Sequence, residues 1–393
     1  MNILTFNYEY PPVGGGGGVV HALIAEELAR RHRVVVVTSR VGSLAALENV
    51  NGVEVHRVPV IGRRDPAAAP LISMLAYPPS AYAVARRLIR RERFDVVNGH
   101  FAVPTGPASL PAARLAHVPH VLSLHGGDIY DPSKRLSPHR FGPLRYTVTR
   151  MLRWSDVVVA QSTNTRDNVY RYYPYRGAVQ IVPLGIRIPS VTPAPRALLG
   201  LPEGVFLLVT VGRLVPRKAV DELLRLLVRP GSEALHLAVV GTGPELPHLK
   251  ALTRELGLGP RVHFLGRLSE EAKWQVLMAS NVYASTTMHE GFGLVYVEAM
   301  AAGLPVVTYD HGGQTDFLVE GVTGRLVPAG AFDTMADALL GFAANPDAAR
   351  RIGEGNRARA ERHRIETCAA AYEHIFESAI KHEPPVAEAI PTR

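Results

Sequence analysis

The sequence predicts an α/β protein built from two doubly wound domains, and three features carry that expectation. Short runs rich in β-branched residues alternate with segments of helical periodicity along nearly the whole chain. The strand runs are apolar throughout, which is the pattern of parallel strands covered by helices on both faces. A proline-rich segment interrupts the alternation once, and the 393 residues exceed what one hydrophobic core usually serves.

Taken in order, the first strand is "MNILTF", and the glycine run of "YEYPPVGGGGGVVHALIAEEL" leads from it into a helix. Consecutive glycines are entropically wasteful in a loop that only connects. Lacking Cβ atoms, they let backbone amides approach a ligand, and the helix start behind them favours anions. No Lys-Ser or Lys-Thr follows, so this is no P-loop, nor is it a strict dinucleotide fingerprint. "HRVVVVTS", "VEVHRVPV", "FDVVNGHF", "HVLSLHG", "SDVVVAQS" and "AVQIVPLG" are further strands, and "PPSAYAVARRLIRR" is a helix among them. The segment "IRIPSVTPAPRALLGLPEG", with four prolines, reads as a linker.

The pattern restarts with the strands "VFLLVTVGR", "ALHLAVVG", "RVHFLG", "NVYAST", "LPVVTYD" and "GRLVP", separated by helices such as "AVDELLRLLV" and "ELPHLKALTREL". The helical stretch from Asp347 to Ile380 is too long for one helix of a domain, and Gly353 and Gly355 predict its break. The tail "KHEPPVAEAIPTR" reads as frayed.

Three turns of the second half could carry chemistry. Arg213 and Lys218 lie in one loop after a strand, where a planar fork and a point charge can converge on a polyanion, unless both are simply exposed loop cations. Gly241 and Gly243 form a tight strand-to-helix turn that is either ligand-facing or structural. In "MHEGFGLVYVEAMAAGLP", Glu290 falls in the loop beyond a strand and Glu298 on a helix from Leu294 to Ala301, with Gly303 as its left-handed cap. Ligands of doubly wound sheets bind beyond the carboxyl ends of strands, and a carboxylate suits a vicinal hydroxyl pair. The alternatives are a solvated helix face for Glu298 and, for Glu290, a first-turn charge favoured by the helix dipole.

Composition narrows the partners. Residues 1–190 carry a net charge of +11 and residues 191–393 one of −3. The basic half is expected to meet something anionic, such as a phosphorylated carrier or a lipid surface. Much of the charge sits in "ARRLIRRERF", for which a solvated helix face is the competing account. Nucleic acid is not expected, because the arginines are not interleaved with aromatics in a binding module. Cys368, the single cysteine, has no partner for a disulfide. His117, His120 and His125 lack the further ligands of a metal site. No run is long and apolar enough to span a bilayer, and the opening residues lack a secretory pattern, so a cytoplasmic location is expected, with association at the inner face of the membrane.

Together "GRLVPRK", "GTGPE" and "EGFGLVYVEAMAAGLPVV", joined by the glycine run, "HGGD" at 125–128 and "VPLGI", resemble the retaining glycosyltransferases of family 4 over nearly the whole chain. Paired acids with seven residues between them are their most specific mark. The resemblance implies a GT-B fold, two Rossmann-like domains facing each other across a cleft. It places residues 1–187 on the acceptor side, 188–200 as a linker, 201–365 as the nucleotide-sugar domain, and 366–393 as a helix and tail crossing back.

The resemblance also implies roles. Arg213 and Lys218 would bind the donor diphosphate, Glu298 the ribose hydroxyls and Glu290 hydroxyls of the transferred sugar. The backbone of Gly291, Phe292, Gly293 and Leu294 would add donors to the sugar and distal phosphate. Gly16, Gly17 and Gly18 would let their loop close on the phosphates, His125 would sit beside the sugar, and Asp128, Gly241, Gly243 and Arg267 would complete the substrate contacts. The chain holds no Asp-x-Asp, so no metal or other cofactor is expected beyond the nucleotide-diphosphate sugar itself. Acceptor choice would fall to loops around Arg63, Arg64 and Tyr77. Ala219 stands where such enzymes usually have Gly, Thr286 and Thr287 replace a Pro-Ser, and Leu184 and Arg187 replace Asn and Asp. The competing functions are a sugar-nucleotide binder or epimerase without transfer, a phosphorylase, for which no pyridoxal lysine segment is evident, and a nicotinamide enzyme. The last is disfavoured because the second strand ends in Ser39-Arg40 with no acid for an adenosine ribose.

Overall fold

The computed structural model describes residues 1–63, 70–134 and 136–383. Arg64 and residues 384–393 of the tail, on which two of the expectations fall, lie outside them. The chain divides into two compact units, Met1–Arg187 with Arg364–Arg393, and Ile188–His363.

The first unit is built on β1 (Asn2–Phe6), β2 (Arg33–Arg40), β3 (Leu47–Val50), β4 (Val53–Pro59), β5 (Val96–His100), β6 (His120–Leu124), β7 (Val157–Ala160) and β8 (Gln180–Ile181). Among the described residues they form one sheet in the order β3-β4-β2-β1-β5-β6-β7-β8, parallel except for the β3–β4 pair. Strand order reverses between β1 and β5, which makes that point the natural ligand end of the unit. The apolar runs explain the sheet: Val34 to Val37 are at most 2% exposed, and each buried valine contributes about 2 kcal/mol. Strand β3 was not legible, since its four residues "LENV" line a half-exposed edge with no apolar run.

Helices α1 (Gly16–Ala29), α2 (Leu71–Ile89), α3 (Gly106–Ala116), α4 (Gly142–Trp154) and α5 (Thr163–Tyr172) cover the sheet, α2 packing on α3 and α3 on α4. Helix α2 starts seven residues before the prolines at which the sequence places it, and Pro78 and Pro79 lie inside it. Proline removes a helical donor, yet the turn before the pair is anchored from below. Ser73 Oγ lies 2.6 Å from Tyr8 Oη, and the Tyr77 hydroxyl donates to the Val37 carbonyl at 2.7 Å. Tyr77 is therefore core, not an acceptor-loop residue. Arg63 is also 5% exposed, its guanidinium stacked on the Tyr8 ring and donating to the Ser39 hydroxyl at 2.9 Å.

The second unit holds β9 (Phe206–Val211), β10 (Leu235–Val240), β11 (Val262–Gly266), β12 (Val282–Ser285), β13 (Val306–Tyr309) and β14 (Gly324–Val327). Their order is β11-β10-β9-β12-β13-β14, all parallel. This is the 3-2-1-4-5-6 order of a dinucleotide-binding sheet, with its reversal between β9 and β12. Helices α6 (Val220–Leu226), α7 (Leu246–Glu255), α8 (Glu270–Ala279), α9 (Leu294–Ala301), α10 (Phe332–Ala344) and α11 (Pro346–Ala360) complete it. The proline-rich segment ends pinned to this unit, because Arg196 donates to the carbonyls of Ala279 and Val205 and to Asn281 Oδ1 at 2.7–2.8 Å.

The long C-terminal helix does break, but not at its glycines. Helix α11 runs through Gly353 and Gly355, and the chain turns instead at Glu361–His363 before α12 (Ile365–Ile380). Gly353 serves packing: a Cβ there would lie 1.9 Å from the Gly303 carbonyl oxygen at the end of α9. Helix α12 belongs to the first unit and packs on α1. The Ile365 amide donates to Ile186 at 2.9 Å, and Glu373 pairs with Arg31 and His32 at 2.7 and 2.6 Å.

Candidate active site

The reversal between β9 and β12 decides which loops of the second unit meet. The loop after β9 carries Arg213, Arg217 and Lys218, and the loop after β12 carries Glu290. Side by side beyond adjacent strands, they bring Lys218 Nζ to 2.6 Å from Glu290 Oε2 and Arg217 Nη1 to 3.7 Å from the same oxygen. The Lys218 and Glu290 side chains are only 13% and 16% exposed. Burial alone would raise the Glu290 carboxyl, but Lys218 and then Arg217 override it and hold the group below its ordinary value. Arg213, at the mouth of the same loop, is exposed and has no ion-pair partner among the described residues. Two cations thus hold the acid, and a third stands free.

The loop geometry also answers the departure at Ala219. This residue adopts the left-handed conformation, φ 44° and ψ 41°, that glycine would take freely, at a cost of about 1 kcal/mol. Thr286, the second departure, supports it: its hydroxyl donates to the Ala219 carbonyl at 2.7 Å. The turn that orients Lys218 is therefore kept without the glycine.

Glu298 sits in the second turn of α9, where its Oε1 accepts from Lys273 Nζ of α8 at 2.9 Å and its Oε2 is buried with no hydrogen-bond partner among the described residues. Burial raises this carboxyl above its ordinary value against the pull of Lys273. Gly293 is the N-cap of α9 with φ 93°, and no side chain caps the helix, so the amides of Leu294 and Val295 are open toward an anion, while that of Tyr296 donates to the Gly293 carbonyl at 3.0 Å. The Gly291 carbonyl is packed under Gly313, whose Cβ would come within 1.8 Å of it, and Phe292 is buried against Phe317 and His363. Only the backbone of this loop, together with half-buried Leu294, is therefore placed for a ligand.

Gly241 and Gly243 have a structural reason to be glycine. A Cβ on either would lie 1.9 or 2.1 Å from the carbonyl of Gly212 or Leu214, because the loop after β10 runs against the loop after β9. Their absent side chains make room for protein backbone, which is the structural one of the two readings the sequence left open. Arg267 lies exposed just beyond β11.

In the first unit His100 ends β5 and His125 follows β6, so the parallel pairing sets them together, His100 Nδ1 and His125 Nε2 2.9 Å apart. His21 of α1 packs on His100 with ring centroids 4.0 Å apart. Burial outweighs a hydrogen bond with Gln161 and lowers the His125 pKa to about 4, so the ring is neutral. Asp128 is committed to the main chain: its two oxygens accept the amides of Ala102 at 2.7 Å and His125 at 2.9 Å. It is a buried clamp that positions His125, where the sequence reading makes it a substrate contact. Gly16, Gly17 and Gly18 are not a closing loop either; they form the first turn of α1. Gly17 leaves space for Phe101, whose Cζ would be 2.4 Å from a Cβ, and Gly18 packs on the Glu9 backbone. What this turn keeps for an anion is the amides of Gly16 and Gly17, since that of Gly18 donates to the Gly15 carbonyl at 3.0 Å.

Sequence reasoning missed Arg217, Lys273, His100 and Phe101. Arg217 stood beside Lys218 in "PRK" and could have been included; Lys273 lay in an ordinary amphipathic helix with nothing to mark it.

Comparison with known proteins agrees along the chain. Residues 14–188 match the family described as Glycosyltransferase Family 4, and residues 193–359 match Glycosyl transferases group 1. A D-inositol 3-phosphate glycosyltransferase of Saccharomonospora viridis is 30% identical over 383 residues, 88% of this chain and 85% of that one. Its counterpart in Nocardia farcinica is 32% identical over 284 residues, and the match spans 66% of this chain and 61% of the relative. Among solved structures, sucrose-phosphate synthase from Thermosynechococcus elongatus superposes with a TM-score of 0.83 at 20% identity, covering 98% and 100% of the two chains. Anabaena HepE in complex with UDP-glucose gives 0.75 at 23% identity, covering 96% and 100%. With its two parallel-sheet units and its Glu290–Lys218 pair, the chain belongs to the family 4 glycosyltransferases, enzymes of the GT-B fold.

Proposed function

We propose that the protein moves a sugar, with retention at the anomeric carbon, from a nucleoside-diphosphate sugar to a hydroxyl of a phosphorylated acceptor. The observation that carries this reading is the Lys218–Glu290 pair at the strand-order reversal of the second unit. In it Lys218, Arg217 and Arg213 neutralise the charge that grows on the departing diphosphate, helped by the free amides at the start of α9. Arg and Lys take this role in a chain without an Asp-x-Asp pair, and the donor is bound without a resident metal. Glu290 keeps Oε1 for sugar hydroxyls while Oε2 is held by the cations. Glu298 takes the ribose hydroxyls. In the transfer, the bond from the anomeric carbon to the phosphate oxygen breaks as the acceptor oxygen bonds to that carbon from the same face, and the acceptor proton passes to the leaving phosphate.

The relatives named for D-inositol 3-phosphate support an anionic acceptor, as does the +11 charge of residues 1–190. HepE, whose structures hold UDP and UDP-glucose, supports a nucleoside-diphosphate donor. The test is a panel of UDP, GDP and ADP sugars against D-inositol 3-phosphate and other polyols, with nucleoside diphosphate release and product mass as readouts. One donor is expected to give a glycosylated product with a retained anomeric centre. Tight donor binding with no release under any pairing would make the protein a binder, and the reading would be abandoned.

The same reading places the enzyme in the cytoplasm, at the inner face of the membrane. No helix among the described residues is long and apolar enough to cross a membrane. Arg86, Arg87, Arg90, Arg91 and Arg93, at and beyond the end of α2, are all exposed, and each arginine near an anionic surface adds about 1 kcal/mol of attraction. Sedimentation with phosphatidylglycerol vesicles, but not with phosphatidylcholine vesicles, is expected, and reversal of Arg86, Arg90 and Arg91 to Glu should abolish it. Equal binding of the reversed variant would return this stretch to an ordinary solvated helix face.

A further inference from the structure

We propose that Lys273 is a positioning residue of the nucleotide site: its ammonium pins one oxygen of Glu298 so that the other oxygen is presented to the ribose diol of the donor. The inference rests on the reading of Glu298 as the ribose contact, and it concerns a residue that no sequence motif marks. A carboxylate with one oxygen satisfied and the other buried without a partner is costly. Glu298 is in that state, with Oε1 2.9 Å from Lys273 Nζ and Oε2 unpartnered among the described residues. Lys273 is itself held from both sides, since its Nζ donates to Glu270 Oε2 at 2.8 Å.

The geometry limits what the pair can do. The Lys273 and Glu298 side chains are 13% and 15% exposed, whereas Glu270 is 81% exposed. A largely buried ion pair adds little net stability by itself, so stability alone is a weak reason for this arrangement. A pinned carboxylate cannot rotate to exchange its oxygens, and the free oxygen has two lone-pair sites, the number that the two hydroxyls of a vicinal diol require. Without the ammonium the carboxyl would face burial unaided and would tend toward its neutral form, a poorer acceptor for hydroxyls. The charged groups that act on Glu298 are Lys273 and Glu270 of α8.

The experiment measures binding of UDP, GDP and ADP, and of the 2′,3′-dideoxy analogue of whichever binds best, to the full-length protein by calorimetry. The wild type is expected to prefer the ribonucleotide by roughly tenfold to a hundredfold, the range for hydrogen bonds to a charged acceptor. Lys273→Met should lose most of that preference by weakening the ribonucleotide and leaving the dideoxy analogue unchanged. Lys273→Arg should restore it, and the donor KM of the Met variant should rise roughly tenfold with kcat nearly constant. A wild type that does not distinguish the two nucleotides would overturn the reading of Glu298, and the proposal with it. A wild type that does, with Lys273→Met distinguishing them equally well, would overturn the role of Lys273 alone. Should the Met variant unfold, Lys273→Gln, which keeps a hydrogen bond but no charge, is judged by the same ratio.

Discussion

Replacing Lys218 with methionine is expected to lower turnover roughly a thousandfold, the upper range for losing one charge-stabilising donor, and to destabilise the protein as well. The second effect follows from the pairing. Lys218 and Glu290 are each other's counter-charge at 2.6 Å and are mostly shielded from water. Removing one leaves the other buried with less compensation, which costs 3–5 kcal/mol for fully buried pairs. Arg217 at 3.7 Å and the residual exposure reduce this to about 2 kcal/mol, or a fall of about 4–8 °C in Tm for a domain of this size.

The double variant Lys218→Met/Glu290→Gln separates the two effects. With no charge left unpaired it should recover most of the lost stability and none of the activity, giving a coupling energy in the thermal cycle but not in the kinetic one. Turnover within tenfold of wild type in the Met variant would remove Lys218 from the chemistry. Additive losses of stability would mean that the pair does not exist in solution.

The strands and the paired acids were legible because each depends on local pattern. An apolar β-branched run such as Val34–Val37 has few folds open to it, and a carboxylate one loop beyond a strand lies at the ligand end of any doubly wound sheet. Which charges meet is not local. Lys218 and Glu290 are 72 residues apart and Lys273 and Glu298 are 25 apart, and only the order β11-β10-β9-β12-β13-β14 puts the first pair on neighbouring strands. The glycines misled for a related reason. Gly17 and Gly241 each have no room for a Cβ because another part of the protein lies against them, and sequence alone does not tell that apart from room made for a ligand, nor, at Gly353, from a helix break. Prolines misled in α2, where buried Ser73 and Tyr77 hold a turn that propensity disfavours.

The first unit is expected to lose stability steeply between pH 6.5 and about 4.5, as the result of four buried histidines. His21, His100, His120 and His125 all have pKa values lowered by burial, to about 3 for His21 and His120 and about 4 for His125. A folded value below the unfolded one near 6.5 means that the unfolded chain binds the proton first. Stability is therefore complete above pH 6.5 and drains away as the pH falls toward the folded values. At pH 5 each of the three histidines with a stated value costs about 2 kcal/mol. Asp128 works in the opposite direction: burial raises its carboxyl to about 6, so its protonation in the folded state returns about 1 kcal/mol at the same pH. The balance remains a loss of about 5 kcal/mol, comparable to the whole stability of a modest domain. Melting followed from pH 7.5 to 4.5 should show a steep decline, and His21→Asn, whatever it does to stability at pH 7.5, should make that decline shallower by removing one proton from the uptake. The neighbours make each ring's contribution distinct: His120 is flanked by the hydroxyls of Ser109 and Ser155 at 2.9 Å and by the charge of Arg114, whereas His125 meets His100 and the ring of Phe101. A melting temperature that stays level down to pH 5 would mean that these rings accept protons inside the fold and that His125 is an imidazolium rather than the neutral ring its burial implies.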